Sequence, residues 1–333
     1  MLPTRSARLV TAALAALVVL TAGCSSAQAA TPPQVVGYAE AGSTSTAKLD
    51  ASRSALTTIG IDGVNVTSDG GSITPVSTEA LDLVKAAHAR SEKAELLVGN
   101  FDGDLGDFSP AIGDALLGSR THIDAVVGDL AAEVRAHGWD GVTVDLESLS
   151  DAHAAGLTRF VSELNKALGA GTSVSVCIMA STGGYAALGY DMAPLGRAAD
   201  HIVLMAYDEH GPGWSGAGAV GGLPWVKESL APLRKAVPAS KLQLGIAGYG
   251  YTWPKHGNGE QLSDARARAI VKRDRATAKW SAAQAEWHAT LSSGTTIWWS
   301  DARSYRTRLA YAKHLKLGGV AVWSLGLSDA LTR

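Results

Sequence analysis

The sequence predicts a TIM (β/α)8 barrel with a small α+β insertion between the seventh strand and its helix. Three observations carry that prediction. Eight apolar runs ending in polar residues alternate with helical patterns, the rhythm of parallel βαβ units. Eight such units in roughly 300 residues suit a closed barrel better than an open sheet. The doubly wound alternative lacks its marker, because no Gly-x-Gly-x-x-Gly follows the first run.

The first 24 residues read as targeting rather than fold. Arg5 and Arg8 give a positive start, and residues 9–20 form an apolar stretch too short to span a bilayer comfortably. Leu20-Thr-Ala-Gly-Cys24 is similar to a bacterial lipobox, with Thr21 where leucine is usual. It predicts lipidation at Cys24 and attachment to a membrane through that lipid alone. Ala27-Gln-Ala29 is the rival site, for ordinary cleavage and secretion. Residues 25–34 form a Ser/Ala/Thr/Pro linker, and the barrel occupies 35–330.

The eight strand-like runs are 35–38, 57–66, 96–101, 141–147, 173–180, 201–208, 242–253 and 319–324. Between them, residues 121–137 show a helical period. Ile123, Val126, Val127, Leu130 and Val134 share one face, and Gly138 ends it. The segment 254–300 breaks the rhythm with a helix at 263–273 and aromatic pieces around Trp280, Trp287 and 297–299. It reads as the insertion, near the barrel mouth.

The whole chain has 333 residues, 46% of them apolar and 18% charged, with a formal charge of −2. That balance gives no electrostatic footprint for nucleic acid. The basic stretch 266–275 is interleaved with Asp and Ala and reads as a solvated helix face. Apart from Cys24 the chain has one cysteine, Cys177, inside an apolar run, where it reads as a small buried hydrophobe.

The fourth run, Asp140-Gly-Val-Thr-Val-Asp-Leu-Glu147, carries the chemistry. Side chains alternate along a strand, so Thr143, Asp145 and Glu147 share the face opposite to Val142, Val144 and Leu146. Carboxylates facing a barrel axis are costly without a partner or a task, and active sites of such barrels lie at the C-terminal strand ends. The competing reading is a helix-capping pair leading into Ser148, Ser150 and Asp151. Residues 61–66, Ile-Asp-Gly-Val-Asn-Val, repeat the Asp-Gly-Val element without the Asp-x-Glu ending. Asp-Gly before a strand is therefore taken as architecture.

Two residues apart on one strand, the carboxylates start from Cα atoms about 6.5 Å apart on one side. Most retaining glycosidases need acid and nucleophile on opposite faces of the sugar. A substrate bringing its own nucleophile, such as a 2-acetamido oxygen, removes that difficulty. Glu147 then protonates the leaving oxygen. Asp145 orients the acetamide, stabilises its positive charge and keeps the acid protonated through like-charge repulsion.

Asp140-Gly-x-Thr-x-Asp145-x-Glu147 resembles the Asp-x-x-Asp-x-Asp-x-Glu signature of glycoside hydrolase family 18, the chitinase family, which is substrate-assisted. Met205-Ala-Tyr-Asp-Glu-His210 and Leu223-Pro-Trp-Val226 resemble the spore-cortex-lytic, germination-type branch. So do Leu244-Gly-Ile-Ala-Gly-Tyr-Gly-Tyr-Thr-Trp253, Trp298-Trp-Ser-Asp-Ala-Arg303 and Gly318-Gly-Val-Ala-Val-Trp323. The resemblance runs from about residue 35 to 327. It implies that Tyr207 hydrogen-bonds the acetamide carbonyl, that Trp323 is the floor under the sugar, and that Asp208, Tyr249 and Tyr38 line the groove. Thr143 departs from the pattern: chitinases usually carry an aspartate there, which shares the proton or hydrogen bond of Asp145, and the germination-type branch often an asparagine. A threonine can still hydrogen-bond Asp145 while removing one negative charge, which implies an altered pH profile.

Eight of nine tryptophans lie after residue 200. Trp214, Trp253 and Trp323 suit stacking on sugar faces, whereas Trp280, Trp287, Trp298 and Trp299 suit packing of the insertion. The glycine-rich loop 211–222 reads as a mobile rim with Trp214 as its contact. Asp208-Glu209-His210 point to alternating faces, and no His-x-x-x-His pair occurs, so no metal and no cofactor are expected. No Gly-x-Ser-x-Gly elbow supports an esterase. The expected partner is an N-acetylglucosamine-containing polysaccharide, peptidoglycan before chitin; nothing in the sequence indicates an oligomeric state. The rival from another class is a non-catalytic, lectin-like barrel, which has no need of the acid.

Overall fold

The computed structural model describes residues 33–333; the expected signal segment, with Cys24, lies outside the described residues. Eight parallel strands close a barrel in chain order: β1 (Gln34–Glu40), β2 (Thr58–Asn65), β3 (Lys93–Gly99), β4 (Gly141–Asp145), β5 (Ser173–Met179), β6 (His201–Met205), β7 (Leu242–Ala247) and β8 (Gly319–Trp323). The closure is the pairing of β8 with β1, in which Gln34 meets Gly319 and Gly37 meets Val322.

Strand alternation sorts the side chains into two cores. Val142 and Val144 of β4 join the large apolar layer between barrel and helices. The interior holds a smaller cluster of Val36, Tyr38, Leu97, Cys177, Val203, Met205 and Ala321. Below that plug the interior is polar. Buried Glu95 accepts hydrogen bonds from Thr143 Oγ1 (2.9 Å), Ser173 Oγ (2.6 Å) and Ser175 Oγ (3.3 Å). Cys177 is buried with its Sγ 3.6 Å from the Tyr38 hydroxyl, and burial pushes the thiol well above its usual range. It is a packing residue, as its sequence context suggested.

The helix over Arg120–His137 shows how the outer layer is specified. The Ser119 hydroxyl accepts from the His122 N–H (3.3 Å), and Gly138 ends the helix in the left-handed region at φ 72°. Ile123, Val126, Val127, Leu130 and Val134 are buried on one face, each contributing about 1.5–3 kcal/mol by leaving water.

Several strand boundaries differ from the sequence reading, among them that of β6, which ends at Met205, and two of the differences change the site or the insertion. β4 ends at Asp145, so Glu147 lies beyond it; Ser148 has φ 56° and turns the chain away. The run 242–253 is two strands. The first is β7; the second, Tyr249–Trp253, opens the insertion in a five-stranded antiparallel sheet with strands Gln261–Ser263, Lys279–Ser281, Glu286–Thr290 and Thr296–Trp299. The insertion thus begins at 249, where Gly248 separates the sheets. A side chain on Gly248 would run into Ser328, and its N–H donates to the Trp323 carbonyl (2.7 Å).

Candidate active site

The C-terminal ends of the strands hold a carboxylate-rich site. Asp145, 7% exposed, closes β4 with its Oδ1 buried and, among the described residues, without a hydrogen-bond partner. The expected contact from Thr143 is absent, because the Thr143 hydroxyl is directed down to Glu95. Glu147 is positioned by Asn100, just after β3. The Asn100 Oδ1 accepts the Glu147 N–H (2.9 Å), and its Nδ2 donates to the Glu147 carbonyl (2.9 Å). Asn100 is fully buried. The backbone of the acid is therefore held by a side chain from the neighbouring strand rather than by strand pairing.

Both carboxyls are held above the ordinary carboxylate range, with burial the first cause. For Glu147 the next causes are the charges of Asp145, Asp208 and Asp107; for Asp145 it is the charge of Asp62. Glu147 is consequently a proton donor at neutral pH, the state that a general acid requires. Like-charge repulsion from Asp145 contributes, second to desolvation.

Asp62 corrects the sequence reading of 61–66 as architecture. Asp140 precedes β4 at the barrel bottom, where its Oδ2 meets the Ala94 N–H (2.9 Å) and His88 Nε2 (2.9 Å). Asp62 instead lies within β2, level with Leu97 of β3 and hence with Thr143, just before a bulge at Gly63. It lines a cavity of about 340 Å³ with Glu40, Asn65, Asp145 and Trp323, and with Phe101 and Phe108 at the rim. Glu40 and Asn100 stand in no motif, and the Asp-Gly-Val-Asn element that holds Asp62 and Asn65 reads in the sequence as architecture; their signal is an inward position near a strand end, legible once register is known.

Tyr207, two residues beyond β6, is half-buried between the interior cluster and the Tyr249 ring, with ring centroids 6.2 Å apart. Burial holds its phenol well above the usual range, so it is a neutral hydrogen-bond donor. Trp323 ends β8, tilted against Tyr38 at 5.8 Å, and faces the cavity. Tyr38 and Tyr249 are 2% and 1% exposed. They lie under the groove rather than on its wall. The Tyr249 and Tyr251 hydroxyls donate to Asp208 Oδ1 (2.6 and 2.9 Å), holding that side chain on a left-handed turn at φ 63°. The next two residues diverge: Glu209 Oε2 takes the Gly222 N–H (2.7 Å), and His210 Nδ1 pairs with the Ala219 carbonyl (2.9 Å). Among the described residues no group of three His, Cys, Asp or Glu side chains is gathered for a metal ion.

Trp214 stands exposed on the glycine-rich loop, its ring edge-on to Tyr251 at 5.8 Å. The loop is pinned at its far end. Buried Glu286 of the insertion accepts the Val220 and Gly221 N–H groups (2.7 and 3.0 Å) and pairs with buried Arg308 (2.9 Å), which donates to the Gly221 carbonyl. A rim mobile along its whole length does not fit these contacts. Trp299 stacks on Trp287 in the insertion core and Trp280 packs beside them, while Trp298 stacks on His288 across the sheet's other face, beside Tyr251. Among the described residues, the exposed large apolar side chains are Phe101, Leu105, Met179 and Trp214. All four belong to strand ends or following loops at the mouth.

Comparison with known proteins agrees with this geometry. The family model described as Glycosyl hydrolases family 18 matches residues 34–328. The uncharacterized glycosylase YvbX of Bacillus subtilis is 23% identical over 305 residues, 87% of each chain. The cortical fragment-lytic enzyme of Bacillus anthracis is 23% identical over 265 residues, covering 75% of this chain and 60% of that relative's length. A chitinase structure from Chromobacterium violaceum matches with a TM-score of 0.78 at 26% identity, over 89% of this chain and 95% of that one.

Proposed function

Because this chain belongs to family 18 of the glycosyl hydrolases, and is a glycoside hydrolase, we propose that it cuts β-1,4 bonds following N-acetylglucosamine with retention, using the substrate's acetamide as nucleophile. One observation carries the mechanism. Asp145 and Glu147 come from one segment on one wall, and the strand facing it across the barrel, β8, ends in Trp323 rather than a carboxylate. That arrangement supports a reaction that does not call on an enzyme nucleophile from β8. Trp323 offers an apolar ring on which a pyranose can stack.

The residues then divide the work. Glu147 donates its proton to the leaving oxygen. The acetamide carbonyl oxygen closes on the anomeric carbon, the Tyr207 hydroxyl donates to that oxygen, and Asp145 accepts the acetamide N–H as positive charge develops. Water, deprotonated by Glu147, opens the ring with retained configuration.

Peptidoglycan is the preferred substrate, supported by the similarity to the cortical fragment-lytic enzyme and by the apolar side chains along the rim; chitin or its oligomers come second. Export through residues 1–24 with a lipid on Cys24 accompanies that preference and is supported by the sequence alone; a Cys24→Ala form that stays membrane-bound would count against it. The test of activity is to incubate the protein and its Glu147→Gln form with peptidoglycan and with chitin oligomers, followed by mass spectrometry. Products from the wild type and a loss of about 10²–10⁴-fold in the variant are expected. No products from either polymer favours a lectin-like barrel, and equal activity of the variant removes Glu147 from the mechanism.

A further inference from the structure

The chitinase pattern that this chain resembles carries a second carboxylate at position 143, where the germination-type branch often has asparagine and this chain has threonine. The hydroxyl does not substitute for it. Thr143 Oγ1 is engaged by Glu95 on the far side of the apolar plug, and Asp145 Oδ1 remains buried and unpartnered. A buried carboxylate oxygen with nothing to accept from is costly unless its protonation is controlled. The groups around it are therefore informative. Cys177 of β5, Tyr207 beyond β6, Tyr190 and Glu147 all bear electrostatically on Asp145 or it on them, and the first three are held neutral by burial. No lysine or arginine acts on Asp62, Asp145 or Glu147 among the described residues.

That leaves Asp62. It shares the cavity with Asp145 and has Glu40 of β1 as its register partner on the other side. Between β2 and β4 runs β3, whose residue level with Asp145 is Gly99. A side chain there would press on Asn65 Oδ1 at 2.8 Å, so the absence of one keeps the space between the strands open. We infer that Asp62 is the positioning residue for Asp145, doing from β2 what the family's pattern assigns to position 143 of β4. Burial first, and then the charge of Glu40, oppose ionisation of Asp62. The second carboxylate has changed strands and kept its place beside the acetamide-binding group.

The inference rests on Asp145 as the acetamide partner, and its test separates the two claims. The acidic limb of the kcat/KM profile reports ionisation of Asp145. A negative Asp62 opposes that ionisation, so Asp62→Asn moves the limb to lower pH, by about one unit. Adding Thr143→Asp to that variant returns a carboxylate and moves the limb back. Glu40→Gln works in the opposite sense: it lets Asp62 ionise earlier and moves the limb to higher pH, which also serves if Asp62→Asn does not fold. A merely structural Asp62 lowers activity or melting temperature and leaves the limb where it was. An unmoved limb in folded Asp62→Asn, or in Glu40→Gln if the former does not fold, together with an inactive Asp145→Asn, overturns this inference alone. An active Asp145→Asn overturns both it and the mechanism above.

Discussion

Two inward-facing acids lie at opposite ends of one barrel interior, on neighbouring strands, and they are treated in opposite ways. Glu95 on β3 is surrounded by three hydroxyl donors from β4 and β5. Asp145 on β4 has an oxygen that no donor among the described residues reaches. Both are buried, so the difference is not exposure. A satisfied buried carboxylate is a structural part. An unsatisfied one beside a cavity has bonding capacity in reserve for something that arrives later, which in the proposed mechanism is the acetamide N–H. Partner count rather than burial separates the two roles.

The comparison breaks most visibly on activity. Asp145→Asn is expected to lower kcat by about 10²–10⁴-fold while raising the melting temperature at neutral pH. Burial raises the folded-state pKa of Asp145 above its unfolded value, so the native state binds the proton more tightly. The stability from that proton is fully present below the ordinary carboxylate range and is lost as pH rises through the folded value. The variant should therefore gain most over wild type near neutrality and little in acid, in paired thermal melts. A variant less stable at every pH would place Asp145 with Glu95 as a structural group.

A smaller effect, of the other kind, is expected at the bottom. Glu95→Ala leaves the buried hydroxyls of Thr143 and Ser175, and the half-buried one of Ser173, without this acceptor and should cost about 1–3 kcal/mol in denaturant unfolding, with kcat of the folded fraction unchanged. Thr143→Val, which removes one of the three donors, should cost about 1 kcal/mol. A fall in kcat without loss of stability in either variant would mean that the two ends communicate through the apolar plug.

Much of this was readable from the chain. The eight runs, the helix ending at Gly138 and the pair Asp145 and Glu147 follow from periodicity and from carboxylates at positions that face an axis. The rest depends on height within the barrel, which periodicity does not encode. Asp62 and Asp140 open the same Asp-Gly-Val element, yet one lies near the mouth and the other near the base, because β2 carries its aspartate inside the strand, next to a bulge. Asn100 was illegible for a similar reason: its partner is the backbone of a residue 47 positions away. The run 242–253 misled because both the barrel and the insertion sheet want apolar residues, and only Gly248 marks the change.

The clamp of Glu286 and Arg308 on the glycine-rich loop divides that loop into unequal halves for any redesign. Glycines 218, 221 and 222 are places where a side chain would collide with His210, Ala206 or Gln284; they are there for fit, and this half can be neither lengthened nor decorated. Around Trp214 the constraint is of another kind: Gly216 has open space beside it, whereas Gly213 is held by its backbone at φ 104° and Ser215 Oγ accepts the Gly211 N–H (3.0 Å). The rim can therefore be varied at positions 214 and 216, with the barrel as an unaltered chassis.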